Sequence, residues 1–171
     1  MKLKKILPLA ISLSLMAGCS GKKQSATPTN EEIVTEIKNP VEITFWHAMN
    51  GDKEKSLQGL VDNFQKENPN IKVILQNQSS YPDLQQKITA TTASPKDLPT
   101  MTQAYPDWLL NAIDENLVLD LKPYIENETL KFDNYDDIVK GFREASTLDG
   151  KIYGIPFNKS TEVLWYNKTL F

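Results

Sequence analysis

Cysteine is almost absent from this chain: Cys19 is the single one among 171 residues, so no internal disulfide can form. Histidine is as scarce, with His47 alone, and the usual Cys/His zinc sets cannot be assembled. No metal and no cofactor is therefore expected. The seven glycines form neither a Walker A loop nor a G-x-G-x-x-G turn, and no G-x-S-x-G nucleophile elbow occurs. A bilayer-spanning apolar run is missing too, because the longest one, Ile6 to Ala17, falls short of the roughly twenty residues a membrane core requires. Basic charge is not in excess. The chain carries −3, and removing the first eighteen residues takes 19 cationic side chains to 16 against 22 anionic ones, a net of −6. An acidic protein without a basic stripe argues against nucleic acid as a partner.

What is present begins with an address. Three lysines in Met1 to Lys5 precede the apolar run, which ends in Leu15-Met16-Ala17-Gly18-Cys19. This arrangement fits a signal-peptide h-region and resembles the signals of bacterial lipoproteins, in which small residues precede a lone cysteine that is lipidated and becomes the first mature residue. Met16 stands where those signals more often carry Leu. The alternative is an ordinary cleaved signal with an incidental cysteine. Stable anchoring takes more than one acyl chain, a need that the several chains of a bacterial lipoprotein meet. Residues 1–18 are thus read as a signal, and 19–39 as a polar tether too poor in apolar side chains to offset its ordering entropy.

The folded part is organised around Val41 to Gly51. Val41, Ile43 and Phe45 alternate with Glu42 and Thr44 as a strand; Trp46, His47 and Met49 are placed in the loop after it, and Asn50-Gly51 turns the chain. Leu57, Leu60, Val61 and Phe64 form the apolar stripe of a helix from Asp52 that stops at Asn68-Pro69. Ile71 to Leu75 reads as a second strand, buried on both faces as parallel sheets require. Strand, helix and strand make one right-handed unit. The pattern repeats with a helix from Tyr81-Pro82-Asp83 to about Thr92, a third strand over Thr100 to Ala104, and a helix through Trp108 to Ile113 capped at Asn116. An extended run over Leu117 to Leu121, a helix from Tyr135 to Ser146, a tight turn at Asp149-Gly150 and a last strand over Val163 to Tyr166 complete the reading. The fold class is α/β with a mainly parallel open sheet. The chain stops at Phe171 just after a helix start, so a partial chain is expected.

Ligands of open parallel sheets bind in the crevice at the carboxyl ends of the strands. Three loops meet there, bringing Trp46, Tyr81, Tyr105 and Trp108 as flat faces, with Asp83 and Asp107 as acceptors. Aromatic faces pack on the C–H side of a sugar ring while carboxylates accept from its hydroxyls. The same aromatics could equally be core. His47 is read as structural or as a hydrogen-bonding contact to a ligand, since no second metal-binding or catalytic partner accompanies it. A surface enzyme such as a glycoside hydrolase fragment is the rival class; it needs two carboxyls about 5–5.5 Å or 6.5–9.5 Å apart. A structural lipoprotein with an all-core set of aromatics is the third.

The lipoprotein signal, the polar tether, the I-T-F-W-H-A-M-N-G opening, the L-x-x-L-V-x-x-F-x-K-E-N-P-N helix and the segments Leu98-Pro99-Thr100-Met101, Asn116 to Leu121, Gly150 to Asn158 and Val163 to Lys168 together resemble the extracellular solute-binding proteins of bacterial ABC importers. The branch that binds sugars, oligosaccharides and glycerol-3-phosphate is the most similar. The resemblance implies a periplasmic-binding-protein-like lobe over 40–149, with 150–171 as a hairpin and first crossing toward a second lobe, at most partly present. It implies a non-enzyme, a monomer tethered to the outer face of the cell membrane, with a sugar-like solute and the permease subunits as partners. Tyr81 matches a ligand-contacting Tyr after the second strand, and Ser160 a ligand-contacting Ser in the crossing segment. The glycerol-3-phosphate relative carries a Glu after the third strand where this chain has Pro106; Asp107 stands beside it. The candidate ligand-binding residues are Trp46, His47, Tyr81, Asp107, Trp108 and Ser160, with Cys19 as the lipidation site.

Overall fold

The computed structural model describes residues 33–171 apart from 131, 133 and 161. The expected signal, Cys19 and most of the tether lie outside the described residues. Among the described residues, no helix is long and apolar enough to cross a membrane.

The central element is strand β1, Val41–His47, flanked by β2, Ile71–Asn77, and β3, Met101–Thr102, in the order β2-β1-β3. Both neighbours run parallel to it, as the repeated strand–helix–strand pattern predicts. The β1–β2 ladder is in register from Val41 opposite Ile71 to His47 opposite Asn77. The β1–β3 ladder is short, joining Phe45 to Met101 and Trp46 to Thr102. Helix α1, Asp52–Glu67, connects β1 to β2, and α2, Tyr81–Thr91, connects β2 to β3. Right-handed crossovers in opposite directions along the sheet place two helices on opposite faces. Accordingly Trp46 packs with Leu84 and Ile88 of α2, whereas His47, pointing the other way from the strand, feels the Glu54 carboxylate of α1.

The local chemistry explains the boundaries. Gly51 precedes α1 with a φ of 61°, a left-handed conformation that side chains disfavour. Asn68 ends α1 by donating both its backbone N–H and its side-chain Nδ2 to the Phe64 carbonyl. Of the expected stripe, Leu57 and Val61 are buried, but Leu60 and Phe64 remain exposed; the stripe is wider than the surface α1 covers. Ser80 caps α2: its Oγ accepts from the Asp83 N–H and donates to Asp83 Oδ2 at 2.5 Å, with Pro82 in the first turn.

Beyond β3 the chain is less regular than its periodicity suggests. A 3-10 turn, Pro106–Leu109, leads into the short helix α3, Leu110–Asp114, and Asn116 follows with a φ of 58°, the left-handed cap expected there. Leu117 to Leu121 forms no strand. Asp120 Oδ1 instead accepts from the N–H groups of Lys122 and Ile152, and the Leu121 N–H donates to the Ile152 carbonyl; α4, Lys122–Ile125, then begins. The single helix expected over Tyr135 to Ser146 is divided into a 3-10 turn, Tyr135–Asp137, and α5, Lys140–Ala145. At the break Ile138 and Val139 take extended ψ angles of 133° and 123°, suited to a β-branched pair. The tight turn at Asp149-Gly150 is present with both φ angles positive, linking antiparallel β4, Thr147–Leu148, to β5, Lys151–Ile152. Val163 to Tyr166 is not a strand. No described strand pairs with it, and Trp165 is 90% exposed.

Candidate functional site

Most groups at the sheet's carboxyl edge come from the segments that follow β1, β2 and β3. At β1 and β3 the chain leaves toward opposite faces, which opens a crevice between the two strand ends. Gln103, the residue after β3, fills that crevice. Its backbone N–H donates to the Trp46 carbonyl at 2.8 Å, and its Oε1 accepts from the Ala48 N–H at 3.1 Å. Gln103 is buried, so these bonds satisfy groups that would otherwise be costly to hold away from water.

The loop after β1 is tied to the loop after β2 by amides. The two hydrogens of Asn77 Nδ2 are shared among the Met49 carbonyl, Asn50 Oδ1 and Glu54 Oε1, 2.8–3.0 Å away, while its Oδ1 accepts from the Ser79 N–H. Asn50 Nδ2 in turn donates to the Ser79 carbonyl at 2.6 Å. Ser79 has a φ of 67°, a conformation held by these bonds. The rigid floor so formed lies beneath an open recess of about 380 Å³, lined by Ala48, Met49, Asn50, Asp52, Lys53 and Tyr81.

The aromatic residues divide between core and rim. Tyr81, Tyr105 and Trp108 stand together, with ring centroids 5.6 Å apart for Tyr81–Tyr105, 6.3 Å for Tyr81–Trp108 and 4.9 Å for Tyr105–Trp108. The two pairs that include Trp108 are edge-to-face, an arrangement favourable beyond simple burial. Trp108 and Tyr81 rest on the Trp46–Ala48–Leu84–Ile88 cluster and remain partly exposed.

Trp46 lies below them. The sequence places Trp46 and His47 in a loop, but β1 continues through both, and they are only 4% and 1% exposed. The Trp46 Nε1–H donates to Gln76 Oε1 at 2.6 Å, and Lys87 Nζ lies 4.6 Å from its ring centre. His47 Nδ1 accepts from the Met49 N–H. Burial pulls the His47 pKa below its ordinary value, against the opposing pull of Glu54. Both side chains therefore support the loop that follows them and present no face at the rim.

Asp107 is exposed, between Tyr105 and Trp108 in the 3-10 turn, and makes no hydrogen bond among the described residues. Asp83 is occupied by the Ser80 cap. Ser160 is exposed and hydrogen-bonds to none of the others. The crossing segment reaches the site through Asn158 instead: its Nδ2 donates to the Tyr81 hydroxyl oxygen at 3.1 Å, and its Oδ1 accepts from Gln103 Nε2 at 2.7 Å. Gln103, Asn158, Asn50 and Asn77 escape the sequence reading because neutral amides carry no spacing signal. Gln103 could have been suspected as the first polar residue after a parallel strand. No group of three His, Cys, Asp or Glu side chains gathers as a metal site among the described residues.

This architecture is that of a lobe of a periplasmic binding protein: a parallel sheet with β1 inside. The family profile for bacterial extracellular solute-binding proteins matches residues 59–171, and the chain belongs to that family. The chain is 28% identical over 167 residues to the sn-glycerol-3-phosphate-binding periplasmic protein UgpB of Escherichia coli O1:K1, a match covering 95% of this chain and 33% of the relative. It therefore spans about a third of the length of the curated relatives it matches. Among solved structures, an ABC substrate-binding protein from Listeria monocytogenes in complex with cycloalternan shares 29% identity at a TM-score of 0.57, over 68% of this chain and 28% of that one. UgpB from Mycobacterium tuberculosis in complex with glycerophosphocholine shares the fold, at 20% identity and a TM-score of 0.60, over 70% of this chain and 29% of its own.

Proposed function

We propose that the chain is the ligand-capturing first lobe of the substrate-binding component of a bacterial ABC importer, taking a small polyhydroxylated solute, a sugar or oligosaccharide, and delivering it to membrane permease subunits. The observation that carries this reading is the Tyr81–Tyr105–Trp108 cluster, partly exposed on the strand-end loops beside an open recess. Sugar rings stack on such faces. Tyr81, Asp107 and Trp108 are the proposed contacts from this lobe, with Ser160 as a contact from the crossing segment. Trp46 and His47 act from beneath, by holding Ala48 to Asn50.

A second reading, a glycerol-3-phosphate or glycerophosphodiester ligand, is favoured by Lys53 on the recess and by the names of the relatives. A glycoside hydrolase is disfavoured because the relatives are named as binding proteins. The protein is proposed to be anchored through a lipid on Cys19 at the outer face of the cell membrane and to work as a monomer. Closure of a second lobe over the solute would let binding energy select the closed state.

The deciding experiment is calorimetry of the full chain against maltotriose, other oligosaccharides and sn-glycerol-3-phosphate, alongside an assay for released reducing sugar. Saturable binding without turnover is expected. Hydrolysis, or no binding across the panel, would refute the proposal.

A further inference from the structure

We infer that the Tyr81 hydroxyl is committed as a hydrogen-bond donor toward the recess, so that the solute must present an acceptor oxygen there; the ligand part of this inference rests on the solute-binding reading above. The argument starts from a backbone group whose polarity is fixed. The Ala48 N–H can only donate, so the Gln103 side-chain atom it meets at 3.1 Å is the carbonyl oxygen Oε1. Gln103 Nε2 is then directed the other way, with one proton for Asn158 Oδ1 at 2.7 Å and one for the Tyr81 oxygen at 3.0 Å. Since Oδ1 of Asn158 faces Gln103, its Nδ2 is the atom 3.1 Å from the same Tyr81 oxygen.

Two N–H groups therefore donate to Tyr81, and a phenolic oxygen has no further accepting capacity after two bonds. Its own proton has neither amide to go to, since both present hydrogens. That proton is left for the recess that Tyr81 lines. A phosphoryl, ether or hydroxyl oxygen satisfies it. A group that can only donate, such as an ammonium, meets a hydrogen and is rejected. Gln103 and Asn158 thus act as positioning residues: they set which way a Tyr81 bond runs without needing to touch the solute.

The test uses the full chain with two probes, sn-glycerol-3-phosphate and neutral maltotriose, which present phosphoryl and sugar oxygens respectively. Asn158→Asp keeps an acceptor for Gln103 but puts a second carboxylate oxygen opposite Tyr81, so the hydroxyl turns to donate to it. Asn158→Ala removes the contact and leaves the Tyr81 proton free. Tyr81→Phe removes the hydroxyl. For maltotriose, where charge repulsion plays no part, Asn158→Asp and Tyr81→Phe should each weaken binding about tenfold, and Asn158→Ala by no more than about threefold. Adding Asn158→Asp to Tyr81→Phe should cost nothing further.

The hydroxyl's direction is read without ligand from the tyrosine Fermi doublet in Raman spectra, whose intensity ratio rises when the oxygen accepts and falls when it donates to a strong acceptor. The difference between unsubstituted chain and Tyr81→Phe isolates Tyr81 from the other five tyrosines. A doublet ratio that falls sharply from the unsubstituted chain to Asn158→Asp supports the inference; a ratio in the unsubstituted chain already as low as in Asn158→Asp, or equal doublets in both Asn158 variants, overturns it. Binding of neither probe, with the doublet as expected, would refute the solute-binding reading and remove the ligand from the inference, while the direction of the hydroxyl would stand.

Discussion

Replacing Leu84 by Ala should be among the most damaging conservative changes in this chain. Leu84 is 0% exposed and packs with Trp46, Ala48 and Ile88, with Tyr81, Ala104, Trp108 and Leu109 around them. A Leu→Ala change in a core costs about 2–5 kcal/mol, and the figure depends on how far the surroundings collapse into the space left. Here they collapse poorly. Trp46 is held by its strand and its bond to Gln76, and Trp108 is braced against two tyrosine rings. The cost should therefore fall in the upper part of that range, about 3–4 kcal/mol. Urea unfolding of the full chain, with the slope unchanged between variants, measures it. Leu60→Ala on α1, with Leu60 63% exposed, is the control and should shift stability by less than about 0.5 kcal/mol. Because Leu84 lies one helical turn beyond Tyr81, the aromatic rim should also loosen, with a loss of solute affinity as well as stability. A cost for Leu84→Ala below about 1 kcal/mol would refute the placement of the core under the rim.

The remaining expectations concern caps, charge and anchoring. Ser80→Ala should cost about 1 kcal/mol by removing the α2 cap, measurable in the same unfolding experiment. Gly59 is exposed within α1 with open space around it, so Gly59→Ala should stabilise the chain by roughly 0.5–1 kcal/mol. His47 is the sole histidine, and burial depresses its pKa in the folded state; the unfolded chain therefore binds the proton more readily, and stability should fall as pH drops below about 6.5. Protonation would also take away the Nδ1 acceptor of the Met49 N–H. His47→Gln should flatten that part of the pH profile, and an unchanged slope would remove His47 as its source. Cys19→Ser should release the protein from the membrane fraction if Cys19 carries the lipid, as fractionation and acyl labelling would show.

The parts of the fold written in side-chain periodicity could be read from the sequence. Val41 to Phe45, the helix start at Tyr81-Pro82-Asp83 and the Asp149-Gly150 turn each depend on neighbours close in the chain. The third strand could be located, yet only Met101 and Thr102 pair. The failures share a cause. Leu117 to Leu121 alternates and Val163 to Tyr166 is a continuous apolar run, but neither pattern supplies a partner, and Asp120 diverts the first of these segments into side-chain bonds with Lys122 and Ile152. In the site, residue type announced the aromatic rim, while depth decided which rings reach it: Tyr81 and Trp108 do, and Trp46 is covered by the helix that follows β2. Gln103 and Asn158, 55 residues apart, could not be paired from sequence because their partnership exists only after the sheet has formed.

The strand that leads the chain also occupies the middle of the sheet, and this sets an order of assembly. β1 and β2 can zip over seven residues from Val41 opposite Ile71, whereas β3 must cross β1 to its other edge and gains a two-residue ladder between positions farther apart in the chain, Phe45 with Met101. Closing the longer loop is entropically dearer, and nearby partners meet sooner. Gln103 should therefore arrive last, sealing the crevice only once everything beneath it is set. On the solute-binding reading, a half-assembled lobe would be unable to hold its solute, so readiness to bind would itself report that folding is complete.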